Sequence, residues 1–138
     1  MAYWLCKSDP DEYSWADLVK DGETDWTGVR NHLARKYLLA MRPGDHVLFY
    51  HTGGESAVVG IARVVSEAYP DPTADDPRWV AVRLKAIKPL RQPVPLQEIK
   101  KVPHLKNMLL VRMGRLSVQP VSEEEFTAIL RMGNTSLR

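Results

Sequence analysis

Cysteine is nearly missing from these 138 residues: Cys6 stands alone. One thiol closes no internal disulfide, and Cys6 sits in a strand-like apolar run, where it reads as a small buried hydrophobe. Charge of one sign is missing too. Nineteen Lys and Arg against 17 Asp and Glu leave a net charge of only +2. That is too little to argue nucleic-acid binding by itself, so a basic surface has to come from local clustering. No apolar run approaches the ~18 residues that span a bilayer. The start, M-A-Y-W-L-C-K-S, lacks the basic-then-apolar order of a signal peptide. These absences predict a cytoplasmic chain with no membrane partner.

Several chemistries are missing as well. The four histidines, His32, His46, His51 and His104, have no zinc-clasp spacing among themselves or with Cys6. His46 and His51 bracket one strand, where a separation of five puts them on opposite faces. Ser8 and Ser117 lie in no nucleophile-elbow pattern. Gly53-Gly54 has neither P-loop nor dinucleotide spacing around it, and reads as a turn. The acid runs Asp75-Asp76 and Glu123 to Glu125 suit a solvated loop and a helix N-terminus. The sequence therefore argues against an enzyme and calls for no metal and no cofactor.

What is present is a globular composition, 44% hydrophobic and 26% charged, in a chain of one-domain length. Ten prolines imply many turns and short elements. Tyr3 to Lys7 is a short aromatic and apolar strand. Ser14, with Asp17 three residues on, caps a short helix that Gly22 ends. A second helix lies between Gly28 and Met41, stopped by R-P-G-D. His46 to His51 and Ala57 to Glu67 are predicted strands, joined by a turn over Thr52 to Glu55. A proline-rich loop, Y-P-D-P-T-A-D-D-P-R-W, follows. Trp79 to Ile87 then alternates with a period of two. Leu96 to Lys101 predicts a short helix, and Leu109 to Met113 and Leu116 to Gln119 predict strands around Gly114. Ser122 and Glu125 form a capping box for a last helix ending near Gly133, after which N-T-S-L-R looks frayed. The fold class is α+β: a curled, mostly antiparallel β-sheet or barrel with peripheral α-helices, one domain over residues 1–133 and a tail over 134–138.

One stretch stands apart: W-T-G-V-R-N-H-L-A-R-K-Y-L, residues 26–38. From Val29 to Arg42 it carries four bases and no acids. On a helical wheel Val29, Leu33, Tyr37, Ala40 and Met41 share one arc, and Arg30 falls inside it. An unpaired guanidinium is costly there. Either the helix begins later, with Asn31 as N-cap and Gly28 to Arg30 as a lead-in loop, or Arg30 is buried against a carboxylate or a ligand. The first is the simpler. It would present free backbone N–H groups to an anion, with Arg30 and Arg35 close by. Aromatic planes beside basic groups are how proteins grip unstacked bases and backbone phosphate. Trp26 is either a wall for such a guest or a core residue.

The segments W-L-C-K-S-D-P, W-T-G-V-R-N-H-L-A-R, M-R-P-G-D-H-V-L-F-Y-H, A-Y-P-D-P-T-A, P-R-W and R-L-S-V-Q-P-V, in this order and over nearly the whole chain, resemble the EVE domain. That family belongs to the PUA-like superfamily and is related to the YTH domain. The resemblance implies a PUA-like fold and non-catalytic binding of a modified base, in particular modified cytosine in DNA, extruded into an aromatic-lined pocket. The alternative is an RNA-binding module for single-stranded or structured RNA. Either way the partner is nucleic acid. The resemblance also implies a site. Lys7 would meet phosphate and Ser8 a base edge. Trp26 would lie on the base face, with Asn31 at its edge or at the helix cap, and Arg30 and Arg35 on the basic side. Tyr50 and His51 would stand at a pocket mouth. Tyr69, Asp71 and Trp79 would come from the long loop, and Leu116, Ser117 and Gln119 from R-L-S-V-Q-P. In a regular strand Ser117 and Gln119 share a face opposite Leu116. Many members carry a longer segment between Y-P-D-P-T and P-R-W, so the pocket here would be more open or differently walled.

Overall fold

Two apolar cores, one on each face of a single curled sheet, organise the chain. The computed structural model, which describes residues 1–54 and 56–137, has seven strands and five α-helices. The strands are β1 (Tyr3–Ser8), β2 (Glu23–Trp26), β3 (His46–His51), β4 (Ala57–Val64), β5 (Tyr69–Pro70), β6 (Val80–Pro95) and β7 (Val118–Val121). The helices are α1 (Trp15–Asp21), α2 (His32–Ala40), α3 (Leu96–Lys100), α4 (Leu109–Arg112) and α5 (Glu123–Met132). Sheet order is β2-β6-β4-β3-β1-β7, with β5 on β6. The pairing is antiparallel except for β1 with β3, which run parallel. Register shifts against β4 within Val58 to Ala62 bend the 16-residue β6 so that it serves β2, β4 and β5 along one strand.

The central strands are buried on both faces and read as continuous apolar runs. Trp4, Cys6, Val47 and Phe49 face one core, beneath Trp15 and Leu18 of α1 and Ala34 and Leu38 of α2. Leu5, Leu48, Tyr50 and Ile61 face the other, beneath Ile99, Leu110, Phe126 and Ile129. Burial pushes the Cys6 thiol far above its ordinary pKa, as a buried hydrophobe requires. Asp45, buried in M-R-P-G-D, accepts from Trp4 Nε1 at 2.9 Å, from Ala2 N at 3.0 Å and from Arg42 N at 2.9 Å. It thus pins the start of β1 to the start of β3.

Both predicted capping boxes form, Ser14 with Asp17 and Ser122 with Glu125. Four expectations change. Leu109 to Arg112 is helical, because Leu110 is drawn into the second core while Arg112 stays in water. The stretch at Glu23 to Trp26 is a strand, paired with Lys85 to Val82 of β6. The buried stripe of α2 is Ala34 and Leu38, flanked by Leu33 and Tyr37, and Ala40 is exposed. Asn134 and Thr135, after Gly133, are held in place. Thr135 N donates to Leu130 O at 2.9 Å, and Thr135 Oγ1 accepts from Arg91 N at 2.8 Å. Glu55 in the predicted turn and Arg138 in the tail lie outside the described residues.

Candidate nucleic-acid interface

The helix start is where the wheel argument puts it. Asn31 is the N-cap of α2, its Oδ1 accepting from Ala34 N at 2.9 Å. Residues 27–30 form a loop ahead of it. Gly28 adopts φ +81°, a left-handed conformation that turns its N–H outward. That N–H donates to Asp71 Oδ2 at 2.8 Å. Arg30 Nη1 donates to the same oxygen at 3.0 Å. Asp71 Oδ1 accepts from Thr73 N at 2.7 Å and from Thr73 Oγ1 at 2.6 Å. Burial opposes the charge on Asp71, but the bonds from Thr73, Gly28 and Arg30 outweigh it and hold its pKa down at about 2. Arg30 therefore precedes the helix, as the simpler reading has it; it is also paired with a carboxylate, but its side chain is 40% exposed rather than buried.

This locked loop forms one wall of a cavity of about 510 Å³. Tyr13, Trp26 and Val29 supply its apolar surface, and Ser8, Thr24, Thr27 and Ser117 its hydroxyls. Lys7 and Arg30 bring positive charge, Asp9, Glu12 and Asp25 negative. Trp26 is only 8% exposed. Its ring stands nearly perpendicular to those of Phe49, with centroids 5.5 Å apart, and Tyr13, 6.5 Å apart, so little of the indole is left for the cavity. Lys7 Nζ donates to Gly114 O at 2.7 Å and lies 5.7 Å from the centre of the Tyr50 ring. Burial lowers its pKa. Behind the cavity, Arg83 bridges Glu23 and Asp25 at 2.8 Å each, and the Tyr69 hydroxyl donates to Asp25. Burial first, then that bond to Asp25, push the Tyr69 pKa up.

Of the residues singled out in the sequence, Lys7, Ser8, Trp26, Arg30 and Ser117 meet at this cavity. Asn31 adjoins it as the exposed cap. Ser117 precedes β7, so the strand alternation that would tie it to Gln119 does not apply. The others are placed elsewhere. Gln119 has no exposure and donates through Nε2 to Leu116 O at 3.0 Å, while Leu116 is buried in the first core. Tyr50 is buried in the second core. His51 Nε2 accepts from Trp15 N at 3.0 Å. Asp71 uses both oxygens to bind the loops together, and Tyr69 supports Asp25. Trp79 stacks on His32 with centroids 5.0 Å apart and lies 5.9 Å from the Arg30 guanidinium. Arg35 Nε donates to Arg78 O, closing the short loop onto α2. Sequence reasoning missed Asp9, Glu12, Tyr13, Thr24, Asp25 and Thr27. Tyr13 had a readable signal, an aromatic immediately before the Ser14 cap. A larger cavity, about 660 Å³, opens beneath α5 beside Tyr3, Phe126 and Leu130, and none of the candidate residues reaches it.

Fold and cavity together define a small α+β domain with a mixed polar and aromatic pocket at its strand ends. The chain belongs to the EVE domain family, whose model matches residues 2–132. It is similar to mouse thymocyte nuclear protein 1, with 34% identity over 96% of this chain and 74% of that protein. It is also similar to the crystal structure of the human THYN1 protein in complex with 5-methylcytosine containing DNA. There the TM-score is 0.88 and the identity 32%, covering 99% of each chain. The YTH domain of Zygosaccharomyces rouxii MRB1, solved with N6-methyladenosine RNA, shares the fold at TM-score 0.62 and 18% identity, over 99% of this chain and 88% of that one.

Proposed function

We propose that this chain is a non-catalytic reader of a modified base, modified cytosine in DNA, held extruded in the cavity beside Trp26. The observation that carries the reading is the cavity's double chemistry. Lys7 and Arg30 suit a phosphate backbone, whereas Asp9 and Glu12 do not. Carboxylates suit the exocyclic amino group of cytosine, which donates hydrogen bonds to Asp and Glu. A flipped nucleotide brings both groups to its reader, a phosphate and, for cytosine, an amino-bearing edge. The likeness to human THYN1 bound to 5-methylcytosine containing DNA supports the same assignment. The non-catalytic part rests on the lining: the Ser8 hydroxyl donates to Tyr13 O at 2.5 Å, and no histidine stands among the lining residues described. Cytoplasm is the compartment we assign, to be checked by cell fractionation.

The test is a fluorescence-anisotropy titration of duplexes that differ in one base: cytosine, 5-methylcytosine, adenine or N6-methyladenine, with matched RNAs. The expected result is tighter binding of 5-methylcytosine DNA than of unmodified DNA by about tenfold, the scale of one well-read base position. Affinity should fall as salt rises. Equal affinity for every duplex overturns the reading, and preference for the RNAs replaces it with RNA recognition.

A further inference from the structure

Extruding a base leaves a hole in the duplex, and proteins that deform DNA commonly fill such gaps with an apolar side chain. The turn R-M-G-R, residues 112–115, lies beside the cavity and is fixed to it. Lys7, a lining residue, donates its Nζ proton to Gly114 O at 2.7 Å. Lys7 N donates to the carbonyl of Ser117, another lining residue, at 2.9 Å. The turn is held internally by Met113 N to Leu109 O at 2.7 Å and Leu116 N to Met113 O at 3.1 Å.

On this braced turn Met113 is 42% exposed, whereas Met41 and Met108 are fully buried. Arg112 and Arg115 flank it, both exposed, and neither meets a carboxylate among the described residues. Nothing would meet a Cβ at Gly114, so the turn's outer surface is open to a close partner. A polarizable, adaptable side chain between two unpaired guanidinium groups matches a stack of bases between two phosphate strands.

Resting on the base-reading function above, we propose that Met113 is the wedge that enters the double helix where the read base has left it, with Arg112 and Arg115 on the flanking phosphates. The occupant is double-stranded nucleic acid, because a single strand has no gap to fill.

The experiment compares wild type, Met113→Ala, Met113→Leu and the double variant Arg112→Gln/Arg115→Gln on three probes. These are a 5-methylcytosine duplex, the same duplex with an abasic site opposite that base, and the single strand. A 2-aminopurine next to the modified base reports unstacking. Met113→Ala should bind the paired duplex about tenfold more weakly, since unstacking a step costs a few kcal/mol. It should bind the single strand within about twofold of wild type, and Met113→Leu should restore most of the loss. The arginine variant should lower the slope of log affinity against log salt by about 1 per phosphate contact removed. Equal losses by Met113→Ala on all three probes, or unchanged binding and 2-aminopurine signal, overturn the wedge and leave base reading intact. Failure of wild type to prefer 5-methylcytosine overturns base reading and the wedge with it, before any variant is examined.

Discussion

The carboxylate of Asp71 and the guanidinium of Arg30, 41 residues apart, meet at 3.0 Å. This contact and the Gly28 N–H bond to the same oxygen join the loop that walls the cavity to the loop after β5. The folded pKa of about 2 lies below the ordinary aspartate value of about 3.9. A depressed carboxylate contributes stability that is complete above the unfolded pKa and is lost as pH falls from about 4 toward about 2. At neutral pH that contribution is roughly 2–3 kcal/mol. Urea titrations should show Asp71→Asn less stable than wild type by that amount at pH 7, with the gap closing between pH 4 and pH 2. A gap independent of pH would mean that the charge on Asp71 holds nothing.

Gly60 is the second position where the structure makes a sharp demand. A Cβ there would lie 2.6 Å from ring carbons of Trp15, which in turn packs edge-on against Phe49 at 5.5 Å. The backbone of β4 is thus the floor on which α1 sits. Gly60→Ala should force Trp15 upward and destabilise the fold by about 1–3 kcal/mol, the range for overpacking. The near-ultraviolet circular dichroism of the folded variant should change as well, since a tryptophan loses its fixed surroundings. An unaltered spectrum with wild-type stability would show that α1 shifts freely.

Asn31 allows stability and binding to be separated. Asn and Asp are equally good N-caps, and Ala costs about 1 kcal/mol. Asn31→Asp should therefore melt like wild type, and Asn31→Ala should lose about 1 kcal/mol. If the start of α2 faces phosphate, the Asp variant, despite its intact fold, should bind nucleic acid more weakly than the Ala variant. Its added negative charge would sit where the helix dipole and Arg30 attract an anion. Equal binding by the two variants would remove the helix start from the interface.

What could be read in advance follows from the range over which each signal acts. The caps at Ser14, Asn31 and Ser122 are local chemistry, completed within three residues, and all three form. The resemblance in motif order carries the fold class. The short strand at Glu23 to Trp26 has no periodicity of its own. It exists because β6 supplies its hydrogen bonds from about 60 residues away. Leu109 to Arg112 has the composition of a strand, and its helix is settled by where Leu110 finds a core. At the site, residue type alone could not separate side chains that face the cavity from those that build it. Asp71 and Gln119 have the polar groups of a base-edge contact, but Asp71 spends both oxygens inside the protein and Gln119 is fully buried, its Nε2 on Leu116 O. Only the partners 41 and 43 residues away from Asp71 decide its role.

Trp26 carries the last prediction. With 8% of its surface exposed and two aromatic rings set perpendicular to it, it is a core residue that lends little of its surface to the cavity. Trp26→Ala would remove a buried indole at a cost of about 3–5 kcal/mol. That is a large part of the ~5–15 kcal/mol that holds a domain folded. Lost binding by that variant would report unfolding. Trp26→Phe keeps an aromatic wall against Phe49 and is the informative change. So small an exposed surface predicts a drop of less than about threefold, the same for modified and unmodified duplexes, against the ~1–3 kcal/mol that loss of a stacking platform costs. Anisotropy titrations of the two duplexes with the folded Phe variant decide the matter. A loss confined to 5-methylcytosine would place the base against the indole itself.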